Sequence, residues 1–209
     1  MINGKGDIMI KQFVAAAAAA IVAIGASAQE TYNIDPVHSQ PSFEVQHMGF
    51  SIQRGSFMKS TGKVTIDRAA KKGSIDVTID ATSIRTIDPR LDTHVKSPDF
   101  FNVEKYPTIS FKSTDLVFDG DRVVEVNGEL TLLGITKPVV LKVTNERCGE
   151  HPINKKPMCG AEATTTVKRS EWGMKYGLPR AVGDDVRTSF QSRRTRSRRA
   201  DRVSCLRPE

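Results

Sequence analysis

The residues with the most chemistry in this chain are four histidines and three cysteines. His38, His47, His94 and His151 are scattered. No two stand four apart in a helical pattern, and they form no tight cluster of the kind a metal or an acid–base centre needs. No nucleophile stands beside a base and an orienting acid. Hydrogen-bonded structural histidine is the better reading of each, with His47 and His94 as acid–base candidates should the chain be an enzyme. Cys148 and Cys159 flank a loop holding two prolines, Pro152 and Pro157, between two strand-like runs. A bridge between them would clip that loop and stabilise it by about 2–4 kcal/mol. Two free cysteines are the alternative. A metal site there lacks ligands, since His151 is the one further candidate nearby. Cys205 is left over.

The elements that must position these residues are mostly strands. Phe43, Val45 and His47 alternate on one face, as do Val64 and Ile66. Ile75, Val77, Ile79 and Ala81 alternate with Asp76, Thr78 and Asp80. Period-two patterning of this kind marks sheets with one face in water. Ile109 and Phe111, then Leu116 and Phe118, continue it as far as the hairpin signal Asp119-Gly120-Asp121. Val124 to Leu132 carries Gly128 at a bend. Val139, Leu141 and Val143 lead into the cysteine loop, and Ala161 to Lys168 follows it. Ser170 to Pro179 is a compact aromatic loop with Trp172 and Tyr176, and Asp185 to Phe190 starts one more strand. No long stretch has helical periodicity. The stretch from Asp92 to Phe111 stands apart. Ser97 can cap a helical turn with Pro98 as its first residue. Phe100 and Phe101 then make that turn apolar on one side, and Tyr106-Pro107 restarts the chain as a strand at Thr108. The pattern predicts an all-β fold, a sandwich or an antiparallel barrel of about eight strands, with a short helical plug. Long strands with glycine bends favour the barrel.

Lys11, the apolar run Phe13 to Ile24 and the small residues Ala26-Ser27-Ala28 read as a cleaved signal peptide over residues 1–28. Gln29 is then the first mature residue, no transmembrane segment remains in the mature chain, and the destination is the periplasm or beyond, where disulfides persist. The chain has 31 basic and 24 acidic residues, a formal charge of +7. From Arg187 to Glu209 there are eight arginines and two acids, whereas residues 29–186 are electrically neutral. The basic excess belongs to the end of the chain, so the body carries no footprint for nucleic acid. Residues 29–190 read as one domain and 191–209 as an arginine-rich, disordered tail. That tail can be a basic arm, a bland end, or the product of a shifted reading frame. The switch from lysine-rich to lysine-free composition favours the last. One choice of synonymous codons for Ser192 to Ser197, with a base added, reads Val-Glu-Ala-Asp-Ala-Ile, an ordinary closing strand.

Five stretches occur in an order that is similar to the YceI-like family of polyisoprenoid-binding proteins. They are Tyr32-Asn-Ile-Asp-Pro-Val-His-Ser39, Phe43-Glu-Val-Gln-His-Met-Gly-Phe-Ser51, Ser97-Pro-Asp-Phe-Phe-Asn-Val-Glu-Lys-Tyr-Pro107, Gly128-Glu-Leu-Thr-Leu-Leu-Gly-Ile-Thr-Lys-Pro138 and Trp172-Gly-Met-Lys-Tyr-Gly-Leu-Pro179. The resemblance implies a lipocalin-like barrel, export to the periplasm, and a non-enzymatic carrier of a long isoprenoid, of the polyprenyl phosphate or isoprenoid quinone class. On this reading the cavity lining is Phe43, Val45, Phe50, Phe57, Phe100, Phe101, Phe111 and Trp172, with ordinary core packing as the alternative for each. Head-group donors would come from His47, Arg54, Arg85, His94 and Lys175. No cofactor or metal is called for. The partner is the lipid, and a homodimer stays open. Two other readings remain, an enzyme acting on such a lipid and a periplasmic interaction module. Where the family has a final strand of alternating acidic and apolar residues, this chain has its arginines, which puts barrel closure at issue.

Overall fold

The computed structural model describes residues 29–196. The expected signal peptide, Cys205 and the tail from residue 197 onward lie outside the described residues. Three of the strands are long and broken in the middle. β1 (Glu30–Ile34) and β2 (Gln40–His47) are two halves of one strand, and both run antiparallel to β11 (Val182–Arg196). Pro36 makes the break, and the Asp35 carboxylate accepts the Val37 N–H across it at 3.0 Å. β3 (Ser51–Phe57) and β4 (Ser60–Asp67) form the second pair of halves. β5 (Lys72–Asp80) and β6 (Ile84–Arg85) form the third, broken by a 3₁₀ turn at Ala81–Ser83. The second and third breaks hold each other: Met58 N–H donates to the Ser83 carbonyl at 3.2 Å, and Asp80 N–H donates to the Lys59 carbonyl at 3.0 Å.

β7 (Thr108–Asp119), β8 (Arg122–Leu132), β9 (Ile135–Glu150), β10 (Pro157–Lys168) and β11 complete the sheet. With the halves joined, each strand pairs with the next in sequence, and β11 returns to β1 through Ile34 opposite Arg194. The result is a closed, antiparallel, eight-stranded barrel. Closure removes the exposed sheet edges that an open meander would carry.

Two expectations need correction here. The arginine-rich segment does not leave the sheet at residue 190. β11 runs to Arg196, and Arg193 to Arg196 supply the contact with β1 that shuts the barrel. The helix is also displaced. α1 spans Pro89–Lys96, with Pro89 as its first residue and the Asp88 carboxylate accepting the Arg90 N–H at 2.8 Å. Ser97 ends this helix rather than starting one, donating its N–H to the His94 carbonyl at 3.0 Å. Asp88-Pro89 and Ser97-Pro98 carry the same start signal. The former wins because Leu91 and Val95 then fall four apart on one face, turned to the barrel interior. Phe100 and Phe101 follow in turns, and β7 begins at Thr108 as the Tyr106-Pro107 pair predicts.

Candidate functional site

The barrel is packed on one side and hollow on the other. Inward side chains of β4, β5, β7 and β8, among them Val64, Ile66, Val77, Ile109, Phe111, Val123 and Val126, are buried. Opposite them, β10 presents Ala161, Ala163 and Thr165, and β11 presents Thr188 and Ser192. These are short side chains at positions that point inward, and they are only half-buried because they face empty space. The result is a cavity of about 470 Å³, within the usual size range for small-molecule sites of roughly 300–1,000 Å³. Its lining follows β11 from Val182 to Arg194, roughly 40 Å of strand at 3.3 Å per residue and about 30 Å along a tilted barrel axis. A volume of this size drawn out over that length suits one linear chain better than a compact molecule.

One end of the cavity is shut. Ile34, Val64, Ile66 and Val123 surround it, with Glu146 and Arg194 as its floor. Glu146 reaches the interior through a bulge: Ala163 faces Val143, but Glu162 faces Asn145, so Thr144 is an extra residue in β9. The extra residue rotates the next inward position onto Glu146. At the other end Met48, His94, Arg54 and Tyr176 line the cavity and are themselves exposed or half-exposed, so the cavity reaches solvent there. His94 on α1, Phe100 and Tyr176 stack edge to face at that mouth, with centroids 5.0–5.3 Å apart. His94 Nε2 lies 3.4 Å from the Asp99 carboxylate.

Phe43, Val45, Phe57, Phe100, Phe101 and Phe111 all lie on the cavity wall. The rings of Phe43, Phe57 and Phe101 meet with centroids 5.4–6.2 Å apart. Gly55 sits directly across the sheet from Phe43, and a methyl group on it would come within 2.4 Å of that ring. Two expected lining residues lie elsewhere. Phe50 is 94% exposed at the tip of the β2–β3 turn, because Met48 and Gly49 both take left-handed backbone that ends the alternation. Trp172 is buried core, its indole N–H donating to the Leu130 carbonyl at 3.2 Å. It packs into the core and does not line the hollow.

Of the proposed head-group donors, His47, His94 and Arg54 border the cavity. Arg54 is engaged by Glu44 at 2.8 Å. Arg85 and Lys175 are exposed and off the cavity wall; Arg85 turns to the Ile84 carbonyl at 3.0 Å and to Asp92 at 3.8 Å. Cys148 and Cys159 face each other across β9 and β10 and are joined as a disulfide.

Sequence reasoning missed the small-residue wall and two buried arginines. The alternation of Ala161, Ala163 and Thr165 was the available signal for the wall. Arg169 is 3% exposed and gives its guanidinium to four carbonyls, those of Gly183, Met174, Tyr176 and Val182, all at 2.8–2.9 Å. It thereby shapes the loop that carries Tyr176. Among the described residues no group of three or more metal-ligating side chains comes together.

A hollow eight-stranded barrel with a helix at its mouth matches a known family. The YceI-like domain model fits residues 32–193. This chain belongs to the YceI-like family. It is 36% identical to protein YceI of Shigella flexneri over 159 residues, covering 74% of this chain and 81% of that one. Its fold is similar to that of Burkholderia cenocepacia BcnA, with a TM-score of 0.66 and 24% identity over 77% of this chain and 98% of BcnA. It is also similar to a polyisoprenoid binding domain from Saccharophagus degradans implicated in plant cell wall breakdown, with a TM-score of 0.59 and 15% identity over 79% of this chain and 98% of that domain.

Proposed function

We propose that this YceI-like protein is an exported carrier that holds one long isoprenoid lipid inside its barrel, polar head toward the mouth. The observation that carries this reading is the shape and chemistry of the cavity, a narrow apolar tube closed at one end. Each buried CH₂-sized group of a prenyl chain releases about 0.8 kcal/mol, so several units offset the cost of immobilising the chain. The wall needs no polar contacts along the chain. A polyprenyl phosphate or isoprenoid quinone head would rest near His47 and His94. A neighbour of the same fold that is described as polyisoprenoid-binding supports the ligand class, and the leader-like residues 1–28 support periplasmic residence.

Native mass spectrometry of protein purified from the periplasm, followed by organic extraction, tests the proposal. A stoichiometric prenyl lipid is expected. An empty, folded barrel that also refuses added prenyl lipids would sink it.

A second reading, an enzyme acting on such a lipid, draws on the His94–Asp99 pair, a base beside a carboxylate at the mouth. Turnover lost in His94→Ala with lipid binding retained would favour that reading over the carrier.

A further inference from the structure

The open end of the barrel carries apolar side chains that the described residues leave uncovered. Phe50 is 94% exposed, Ile87 90% and Met48 57%. These residues stand at the cavity's open end: Met48 lines the cavity, and Ile87 follows Thr86, which also lines it. The projection of Phe50 is built into the chain. Met48 N–H donates to the Ala181 carbonyl at 2.9 Å and Phe50 N–H to the His47 carbonyl at 3.1 Å, which pins the turn with the ring outward. Arg180 precedes Ala181, and Lys175 precedes Tyr176 on the same loop. Both are exposed and neither enters a salt bridge among the described residues, whereas Arg54, Arg85 and Arg90 at this end are paired with Glu44, Asp92 and Asp88.

Apolar tips on two separate turns, beside two free cations, do not form the flat packed surface of a protein interface. They match a lipid–water boundary, where apolar side chains enter the acyl region and cations meet phosphates. We propose that this rim docks on an anionic lipid surface, with Phe50 and Ile87 inserted and Lys175 and Arg180 against the phosphates. The mouth then opens onto the lipid phase, and a prenyl chain passes into the barrel without crossing water. The inference builds on the carrier reading and is tested apart from it.

The test is flotation of the mature protein with vesicles of phosphatidylcholine alone and of phosphatidylcholine mixed equally with phosphatidylglycerol. The wild type is expected to float with the mixed vesicles, less so in high salt and less so with phosphatidylcholine alone. Phe50→Ser combined with Ile87→Ser should lower partitioning about tenfold or more. Lys175→Glu combined with Arg180→Glu should remove the preference for the anionic vesicles. Both pairs are exposed, so folding is retained, and loading with a prenyl lipid from detergent micelles should be unchanged in each. Wild type that takes up prenyl lipid from micelles yet ignores both vesicles overturns the docking and leaves the carrier reading standing. Wild type that floats but takes up no lipid overturns the carrier reading alone. A wild-type dimer in sedimentation that becomes monomeric in the Phe50→Ser, Ile87→Ser variant, with neither floating, assigns the patch to a second copy and overturns the proposal.

Discussion

Glu146 and Arg194 meet at 2.6 Å on the floor of the barrel, their side chains 4% and 5% exposed. Glu146 is well served. Its second oxygen accepts the Val123 N–H at 2.9 Å, and Arg68 approaches the first at 3.2 Å. Arg194 is not: its Nε–H is buried without a partner, and the Tyr32 ring lies 5.6 Å away under the guanidinium. Burial pulls the Arg194 pKa down from its ordinary value, and Glu146 opposes that fall. Removing the anion should therefore cost more than removing the cation. Glu146→Leu leaves a buried guanidinium unpaired and is expected to lower stability by about 3–5 kcal/mol. Arg194→Leu leaves Glu146 with Arg68 and the Val123 N–H and should cost less. The double variant should cost far less than the sum, its remaining deficit being the buried Val123 N–H left without an acceptor. Urea unfolding of the four proteins checks the order.

That pair also shows why the end of the chain misleads when read as sequence. Alternation treats arginine as polar wherever it falls, so Ser192 to Arg196 reads as broken structure. The anion that lets Arg194 face inward arrives through a one-residue bulge in β9, forty-eight positions away, and no local pattern announces it. What local chemistry governs was legible. Alternating apolar residues marked the long strands, Asp119-Gly120-Asp121 the hairpin, and Pro107 the start of β7. Phe43 and Phe111, which stand within clean alternation, lie on the cavity wall, and so does Phe57 at the end of a polar strand. Phe50 and Trp172 do not, because both sit beside turns, where side-chain direction depends on backbone angles rather than on parity. The hollow itself depends on what is missing. Small side chains such as Ala163 give weak hydrophobic signal, and their meaning appears when the opposite wall is known.

Arg169 gives a second prediction. Its planar guanidinium points donors in several fixed directions, and four backbone carbonyls use them. Lysine carries the same charge on one compact ammonium that cannot span those acceptors. Arg169→Lys should lower stability by about 3 kcal/mol or more, since buried carbonyls lose their partners. The loop from Gly173 to Ala181 should open first, so limited proteolysis should cut the variant there while leaving the wild-type loop intact. Equal protease resistance would mean that the loop is held by something else.

The small-residue wall gives a third. Ala161→Leu with Ala163→Leu replaces two methyl groups with isobutyl groups on the empty side of the barrel. In a packed core such a change costs about 1–3 kcal/mol through strain. In a hollow it buries apolar surface, so stability should hold or rise by about 1–3 kcal/mol. The same variant should carry at least tenfold less extractable lipid than the wild type. A variant that is destabilised and still carries a full load would show that the chain runs along another wall.

The junction between the 3₁₀ turn at Arg169–Trp172 and β11 supplies a prediction in pH. Asp184 accepts the Ser170 N–H at 2.9 Å and the Ser170 hydroxyl at 2.8 Å. Burial raises its pKa, but the two Ser170 hydrogen bonds and the nearby charges of Lys168 and Arg169 outweigh that effect and hold the carboxyl below its ordinary value of 3.8. The ionised form is thus favoured by folding. Its contribution is fully present above the ordinary carboxylate value and is lost as pH falls through the lower folded value. Asp184→Asn removes the charge and keeps one oxygen to accept the Ser170 N–H, while the Ser170 hydroxyl must turn to accept from the new amide, so the part of its deficit that varies with pH reports the charge. The variant should be less stable than the wild type near pH 7. The gap should start to narrow once pH falls below about 4 and level off below the folded value. Urea midpoints for both proteins, taken from neutral pH downward, measure this directly. A gap that persists unchanged in strong acid would mean that the amide disturbs the turn by its shape, and that the carboxylate charge does not hold the mouth loop to β11.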